Sequence, residues 1–372
     1  GSDQVSLFPE LSPEEEATLI QAAQEWRAKM YDAGFGWISG PPDYGGRGLP
    51  RDYERAWQSL ESRYDTPSQG PFGIGLGMIA PTILAHAVDG VKRRYLPAMY
   101  RGDVIACQLF SEPVAGSDLA GIQTRALRDG DEWVLNGQKV WTSGAQYSDI
   151  GEIITRTSTH PDSRHRGLTM FLVDMKAPGV EVRPLRQMTG GASFNEVFFT
   201  DVRVPGEFLL GDVDEGWTVA LTTLMNERMA IGGGSIAPGQ GAAQRLFELA
   251  RQMGRSGDPR VRQMLADFYI NSSVARFTTM RALAKLRAGQ LPGAEASTLK
   301  LALTNNLQRV SAAVTAILGP RLTADTGEWG TYAWADLLLG VPGLRVAGGT
   351  DEVMRNIVGE RVLGLPKEPR GT

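Results

Sequence analysis

IACQLFSEPVAGSDLAGIQTRALRDGDEWVLNGQKVWTSGA, residues 105–145, decides how the rest of the chain is read. Two short apolar runs, Ile105–Phe110 and Trp133–Leu135, are each bounded by Gly, Pro, Asp or Asn, which is the punctuation of strands and turns. Asn136-Gly137 tolerates positive φ at both positions and predicts a hairpin between Glu132–Leu135 and Lys139–Thr142. Ser111–Ser117 (SEPVAGS) is no regular strand. Pro113 lacks a donor, and Gly116 beside Ser117 lets backbone come close to a ligand while the hydroxyl bonds it.

Outward from this stretch the texture changes twice. Residues 11–104 read as helical. Ser12-Pro13-Glu14-Glu15-Glu16 is a helix start, with Ser12 as N-cap and acids in the first turn, followed by Leu19, Ile20, Ala23 and Trp26 at helical spacing. Tyr31–Leu49 is a Gly/Pro-rich loop, and Glu54–Tyr64 is a second helix. Gly73–Lys92 is apolar, but its glycines, Pro81 and nearby charges favour a packed helix pair over a membrane-seeking segment. Past the quoted stretch, Glu152–Thr157, Leu168–Asp174, Val180–Pro184, Glu196–Phe199 and Asp201–Val204 read as strands. Helical segments follow near 217–253, 259–288 and 294–318, then at Glu328–Leu339 and Asp351–Leu363. The expected class is α+β in three parts: an N-terminal helical domain over 1–104, a β domain over 105–214 and a C-terminal helical bundle over 215–372.

Composition narrows the chemistry. A chain of 372 residues exceeds one typical core. With 42% hydrophobic and 22% charged residues and a net charge of −4, nothing points to nucleic acid or an anionic membrane. Cys107 is the only cysteine, which excludes an internal disulfide, a Cys-based zinc site and a redox pair. His86, His160 and His165 are too scattered for a metal cluster. No apolar run of about 18 residues, no signal peptide, no G-x-G-x-x-G after a strand and no Walker loop is present. Gly1-Ser2 reads as a scar of tag removal, and a cytoplasmic location is the expectation.

One acid stands out on a helix. Ala220, Leu224, Glu227 and Ile231 share a stripe, so a carboxylate faces apolar surroundings that disfavour its charge and suit it to proton transfer. Spacing alone favours a Glu227–Arg228 surface pair or an ion pair with another helix, since charged residues are common at stripe edges. Gly232-Gly233-Gly234 suggests close approach, either by a helix or by a ligand. Pattern alone makes Trp141 a core aromatic.

LFSEPVAGSDLAGIQTRA (109–126), LNGQKVWTSGA (135–145) and GGTDEVMRNIVGERVLGLP (348–366) closely resemble, in order and across nearly the whole chain, the acyl-CoA dehydrogenases. The resemblance implies an N-terminal helical domain, a central β-barrel-like domain and a C-terminal four-helix bundle. It implies FAD and oxidation of an acyl-CoA thioester to a trans-2-enoyl-CoA, with electrons passed to an electron-transfer flavoprotein. Such chemistry needs a base for the α-proton, an acceptor for the β-hydride and donors for charge on the thioester oxygen. Most members place the base just before the Gly-Thr of the last signature, where this chain has Gly348. A minority, resembling the isovaleryl- and long-chain-type enzymes, use a Glu before an Arg on a helix. Glu227, supported by Arg228, matches that arrangement, and Gly348 leaves it room while keeping a backbone N–H for the thioester oxygen. Asp351 and Glu352 stand in reserve as bases.

By the same resemblance Leu109 (backbone) and Ser111 meet the flavin edge, and Trp141 and Ser143 flank the ring. Gly116 and Ser117 lie by the pyrophosphate and pantetheine, and Thr350 and Glu352 contact the adenosine-pyrophosphate. Gly319, in Leu318-Gly319-Pro320, matches a loop that reaches a neighbouring subunit's FAD. The family's Arg and Phe-Gly pair is missing from Ala250–Gln263, where Arg251 or Arg255 could substitute. Both a homotetramer and a heterotetramer with a related chain therefore stay open. So do two other readings: an oxidase or monooxygenase of the same fold, and a subunit that supports a catalytic partner.

Overall fold

The computed structural model describes residues 11–160, 163–232, 240–287, 293–327 and 334–367, without the side chains of 228–232, 240–244, 283, 286 and 287. The chain divides into two compact units, one spanning Glu10–Asn226 and one running on from Glu227.

The first unit opens with α1 (Pro13–Asp32), whose Ser12 hydroxyl accepts from the Glu15 N–H while the Glu15 carboxylate accepts from the Ser12 N–H. This reciprocal pair satisfies two orphan donors of the first turn. After α2 (Arg51–Glu61) comes a π-helical turn, Gly75–Ile79, leading into α3 (Ala80–His86) and α4 (Asp89–Arg101). Ile79, Ile83, Leu96 and Met99 from these segments are buried together, so the apolar stretch at 73–92 is a packed helix pair as expected. Among the described residues no helix is long and apolar enough to cross a membrane.

Eight strands among the described residues form one mixed sheet: β1 (Ala106–Leu109), β2 (Arg125–Asp129), β3 (Glu132–Ser143), β4 (Ile150–Arg156), β5 (Leu168–Asp174), β6 (Val180–Leu185), β7 (Phe194–Pro205) and β8 (Leu209–Leu210). Their order is β6-β7-β3-β2-β4-β5-β8, with β1 parallel to β4. β4 and β5 are buried along almost their whole length, the polar Glu152 and Thr155 of β4 included.

The hairpin expected at Asn136-Gly137 does not form. Glu132–Ser143 is one strand, and the turn lies earlier, at Gly130 (φ 64°), between Asp129 and Glu132. Asn136 instead spans to β7, its side chain donating to the Asp201 carboxylate (2.9 Å) and accepting from the Asp201 N–H (3.0 Å). Gly137 sits at a register shift with φ 154°, and a Cβ there would lie 2.4 Å from the Thr124 hydroxyl. Its freedom serves a bulge and a close approach, not a reversal. For the same reason Glu196–Phe199 and Asp201–Val204 belong to a single strand, with Asp201 at φ 50° absorbing the irregularity.

The second unit begins within α5 (Gly216–Gly232) and continues with α6 (Gln240–Gln252), α7 (Pro259–Arg287), α8 (Ser297–Leu318), α9 (Ala335–Val346) and α10 (Asp351–Arg361). The expected helix 217–253 is thus α5 and α6, on either side of residues 233–239, which lie outside the description. Leu246, Phe268, Leu307, Val314 and Leu337 form the core of this unit. The chain is a mixed α+β fold with helices first, a sheet in the middle and helices last.

Candidate active site

In the first unit the residues singled out lie on β1, the loop after it, and β3. Leu109 ends β1 with its side chain fully buried, so it offers a ligand backbone alone. The chain then turns: Glu112 and Ala115 each donate an N–H to the other's carbonyl, at 2.9 and 3.0 Å. The Val140 N–H donates to the Ser111 carbonyl at 2.9 Å, which brings Ser111 beside Trp141 and Ser143 on β3. Gly116 and Ser117 are exposed, and a Cβ at Gly116 would meet nothing within 4 Å.

Trp141 is not the core aromatic that its pattern suggests. The β3–β7 register slips between Lys139 and Thr142, and Trp141 takes φ 63°, leaving its indole 62% exposed. Phe194 meets it edge-on at 6.1 Å. A left-handed tryptophan costs about 1–3 kcal/mol and persists only where its surroundings impose it. Buried Asn195 supplies part of that frame, its amide donating to the Thr142 carbonyl (3.1 Å) and the Gln146 side-chain oxygen (2.6 Å). The Thr142 hydroxyl is buried and makes no hydrogen bond among the described residues.

Two buried charged residues beside the candidate site escaped the reading of the sequence, although both lie inside its quoted motifs. Lys139 is 0% exposed and donates to the Glu112 carboxylate (2.8 Å) and the Phe110 carbonyl (3.0 Å). Glu112 also accepts from the Gln123 N–H (2.6 Å) and the Thr124 N–H (3.0 Å). The pair therefore ties the 111–117 loop to β3 from below. Burial pushes the Lys139 ammonium down to about 8, the carboxylate offsetting only part of that shift. For Glu112 burial works upward, but Lys139 and the hydrogen bonds outweigh it and hold the carboxyl below its ordinary value. Both are charged at neutral pH. A signal for Lys139 existed: Trp133 and Leu135 alternate inward, and 139 continues their parity.

The second unit carries the other residues. Glu227 is half-buried on α5, on the helix whose Ala220 is fully buried and whose Leu224 packs on the first unit's core. The side chain of Arg228, the side chain of Ile231, and Gly233 and Gly234 lie outside the described residues. Gly348 (φ 64°) and Gly349 (φ 87°) form the turn between α9 and α10, and a Cβ on Gly349 would come within 2.5 Å of the Met354 methyl. Thr350 caps α10, its hydroxyl accepting from the Val353 N–H at 3.1 Å. Glu352 is exposed and 3.4 Å from Arg355. Gly319 (φ 54°) ends α8. Arg251 pairs with Glu248, and Arg255 with Asp258 at 2.7 Å, all at exposed positions.

Asp351 is fully buried. It accepts from Lys300 (3.0 Å), Thr304 (2.8 Å) and Arg345 (2.9 Å). Burial would raise its pKa, but Arg345, Lys300 and Thr304 together hold it below the ordinary value. A carboxylate so occupied is a structural anchor and a poor proton acceptor. Among the described residues no cluster of His, Cys, Asp and Glu could hold a metal.

Residues 9–103, 107–202 and 214–363 match, in that order, the N-terminal, middle and C-terminal domain families of acyl-CoA dehydrogenases. The chain is 35% identical over 362 residues to acyl-CoA dehydrogenase IpdE1 of Mycobacterium tuberculosis, covering 96% of this chain and 92% of the relative. Among solved structures it resembles the Tcur3481-Tcur3483 steroid ACAD, with 27% identity, a TM-score of 0.79 and coverage of 96% and 94% of the two chains. The ChsE4-ChsE5 complex from Mycobacterium tuberculosis is similar at 28% identity and a TM-score of 0.76, again covering 96% of this chain and 94% of that one.

Proposed function

The chain belongs to the acyl-CoA dehydrogenase family, and from that premise we propose that it binds FAD and dehydrogenates an acyl-CoA thioester between its α and β carbons, giving a trans-2-enoyl-CoA. The observation that carries the FAD reading is Trp141, an aromatic face held outward at a strained φ with Ser111 and Ser143 beside it. A flavin ring needs a flat apolar neighbour and polar groups along its edge, and these residues are of the right kinds. Bound FAD supplies the acceptor for the hydride that leaves the β-carbon.

The chain's own residues do the rest. Ser111 and the Leu109 backbone bond the flavin edge, and Trp141 and Ser143 flank it. Gly116 and Ser117, with open space at the glycine, accommodate the pyrophosphate and pantetheine. Thr350 and Glu352, at the start of α10, serve the adenosine-pyrophosphate end, and Gly319 serves a neighbouring subunit's cofactor. Glu227 takes the α-proton, with Arg228 in support. The Gly348 N–H donates to the thioester oxygen as charge builds there, which makes the α-proton acidic enough to remove. An electron-transfer flavoprotein is the proposed electron acceptor.

A steroid-derived acyl-CoA is the substrate class we favour, since a steroid enzyme stands among the similar structures. Assembly with a related chain is favoured by the two-chain complexes among them. Support also comes from α7, where Tyr269, Ile270, Val274, Phe277 and Met280 form an exposed apolar stripe. Such a stripe is the mark of an interface.

The test is an anaerobic visible spectrum of the purified protein, taken alone and with straight-chain, branched and steroid-derived acyl-CoAs. Bleaching of a flavin band by one class is the expected result. A yellow protein that none of them reduces would overturn the reading. Glu227→Gln should keep its flavin yet lose turnover by about 1,000-fold or more, and reduction at the wild-type rate would remove Glu227 as the base.

A further inference from the structure

Four residues, Ala347–Thr350, join α9 to α10, and one ion cluster holds the chain on both sides of this link. Asp351, just past the link, accepts Lys300 and Thr304 on one oxygen and the Arg345 guanidinium on the other. Lys300, 1% exposed on α8, donates a second time to the backbone carbonyl of Arg345, just before the link, at 2.8 Å. Gln308, with its amide turned to satisfy both groups, accepts from the same guanidinium at 3.0 and 3.2 Å. A single ammonium thus bridges the exit of one helix and the entry of the next, while Gly348 and Gly349 between them stand at φ 64° and 87°.

Lys300 and Asp351 are both buried, with Arg345 half-buried at their edge, and burying such a charged pair is an expensive way to join two helices. Apolar residues would close the same gap without the desolvation cost.

We propose that Lys300 is a positioning residue for the reaction: through Asp351 and the Arg345 carbonyl it sets the direction of the Gly348 N–H. This rests on the reading of that N–H as the donor to the thioester oxygen. Lys300 touches no reacting atom; its effect passes through the turn. A donor misplaced by a fraction of an ångström loses transition-state stabilisation while ground-state binding changes little.

The experiment follows anaerobic flavin reduction by stopped flow in the FAD-loaded full chain, using the acyl-CoA that bleaches it best. It compares Lys300→Met, the milder Thr304→Val, and Leu307→Ala. Leu307 is fully buried in the same helix, and its loss weakens the core without touching the cluster. Lys300→Met should lower the limiting reduction rate by about tenfold or more, with half-saturation and FAD content within about twofold of wild type. Thr304→Val, which removes one hydrogen bond and no charge, should move the rate the same way by a smaller factor. Leu307→Ala should lower the melting temperature and leave the rate alone.

A limiting rate in Lys300→Met and Thr304→Val that equals wild type, or falls only as far as in Leu307→Ala, overturns the proposal. If Lys300→Met does not fold, Thr304→Val against Leu307→Ala decides it. Wild-type protein that no acyl-CoA bleaches removes the dehydrogenase reading and this inference together. Bleaching in wild type with unaltered variants removes the inference alone.

Discussion

Lys139 keeps its charge at the bottom of the sheet because Glu112 is there to meet it. Lys139→Met removes the ammonium and leaves Glu112 buried among two backbone donors, so unfolding in urea should show a loss of about 3–5 kcal/mol. Replacing both partners with apolar residues of similar volume should restore most of that loss, and a double variant as unstable as the single would contradict the pairing. Trp141 is the opposite kind of residue, a local cost offset by one edge-on ring contact with Phe194 while most of the side chain stays exposed. Trp141→Gly relieves the left-handed φ, so stability should stay within about 1 kcal/mol of wild type. Flavin retained through gel filtration should fall sharply in the same variant; full retention would detach Trp141 from the cofactor. The alternation of Trp133, Leu135 and Lys139 was readable in advance. The exposure of Trp141 was not, because it follows from a register slip against β7 that no local pattern encodes.

Elements behaved as their termini dictated. Ser12, Pro13 and Glu15 announce α1, and the structure closes the capping box that they spell out. Ser12→Ala should cost about 1 kcal/mol, read as a lower urea midpoint with an unchanged slope; no shift would mean that the end frays freely. Asn136-Gly137 has the composition of a two-residue turn, yet it lies inside a strand. Turn propensity is local, whereas β7 offers Glu132–Ser143 a partner along both halves and the Asp201 backbone satisfies the Asn136 amide. Tertiary pairing outweighs about a kilocalorie of turn preference.

At the scale of the molecule, each compact unit contains a buried carboxylate that is ion-paired to a buried lysine, Glu112 with Lys139 in the first and Asp351 with Lys300 in the second. Both have folded pKa values below their ordinary ones of 4.5 and 3.8. Their stabilisation is complete above those ordinary values and is lost as pH falls through the folded ones. Unfolding free energy should therefore fall as the pH drops below the ordinary values of 4.5 and 3.8, and Asp351→Asn should flatten that limb; a level profile in wild type would exclude the linkage. On α7, Phe277→Asp places a charge in the exposed apolar stripe and should shift light-scattering mass toward smaller species. An unchanged mass would remove the stripe as support for the proposed assembly.

The order helices, strands, helices and the position of the Gly/Ser-rich loop were set by the sequence itself. Each depends on residue type and short-range spacing, which survive without a fold. The bulge that turns Trp141 outward, the burial of Lys139 on Glu112, and the Lys300–Asp351–Arg345 cluster were decided by tertiary structure alone. Except for Arg345 and Asp351, their partners lie tens of residues apart, and only register, burial and the cost of desolvating charge select one pairing among many.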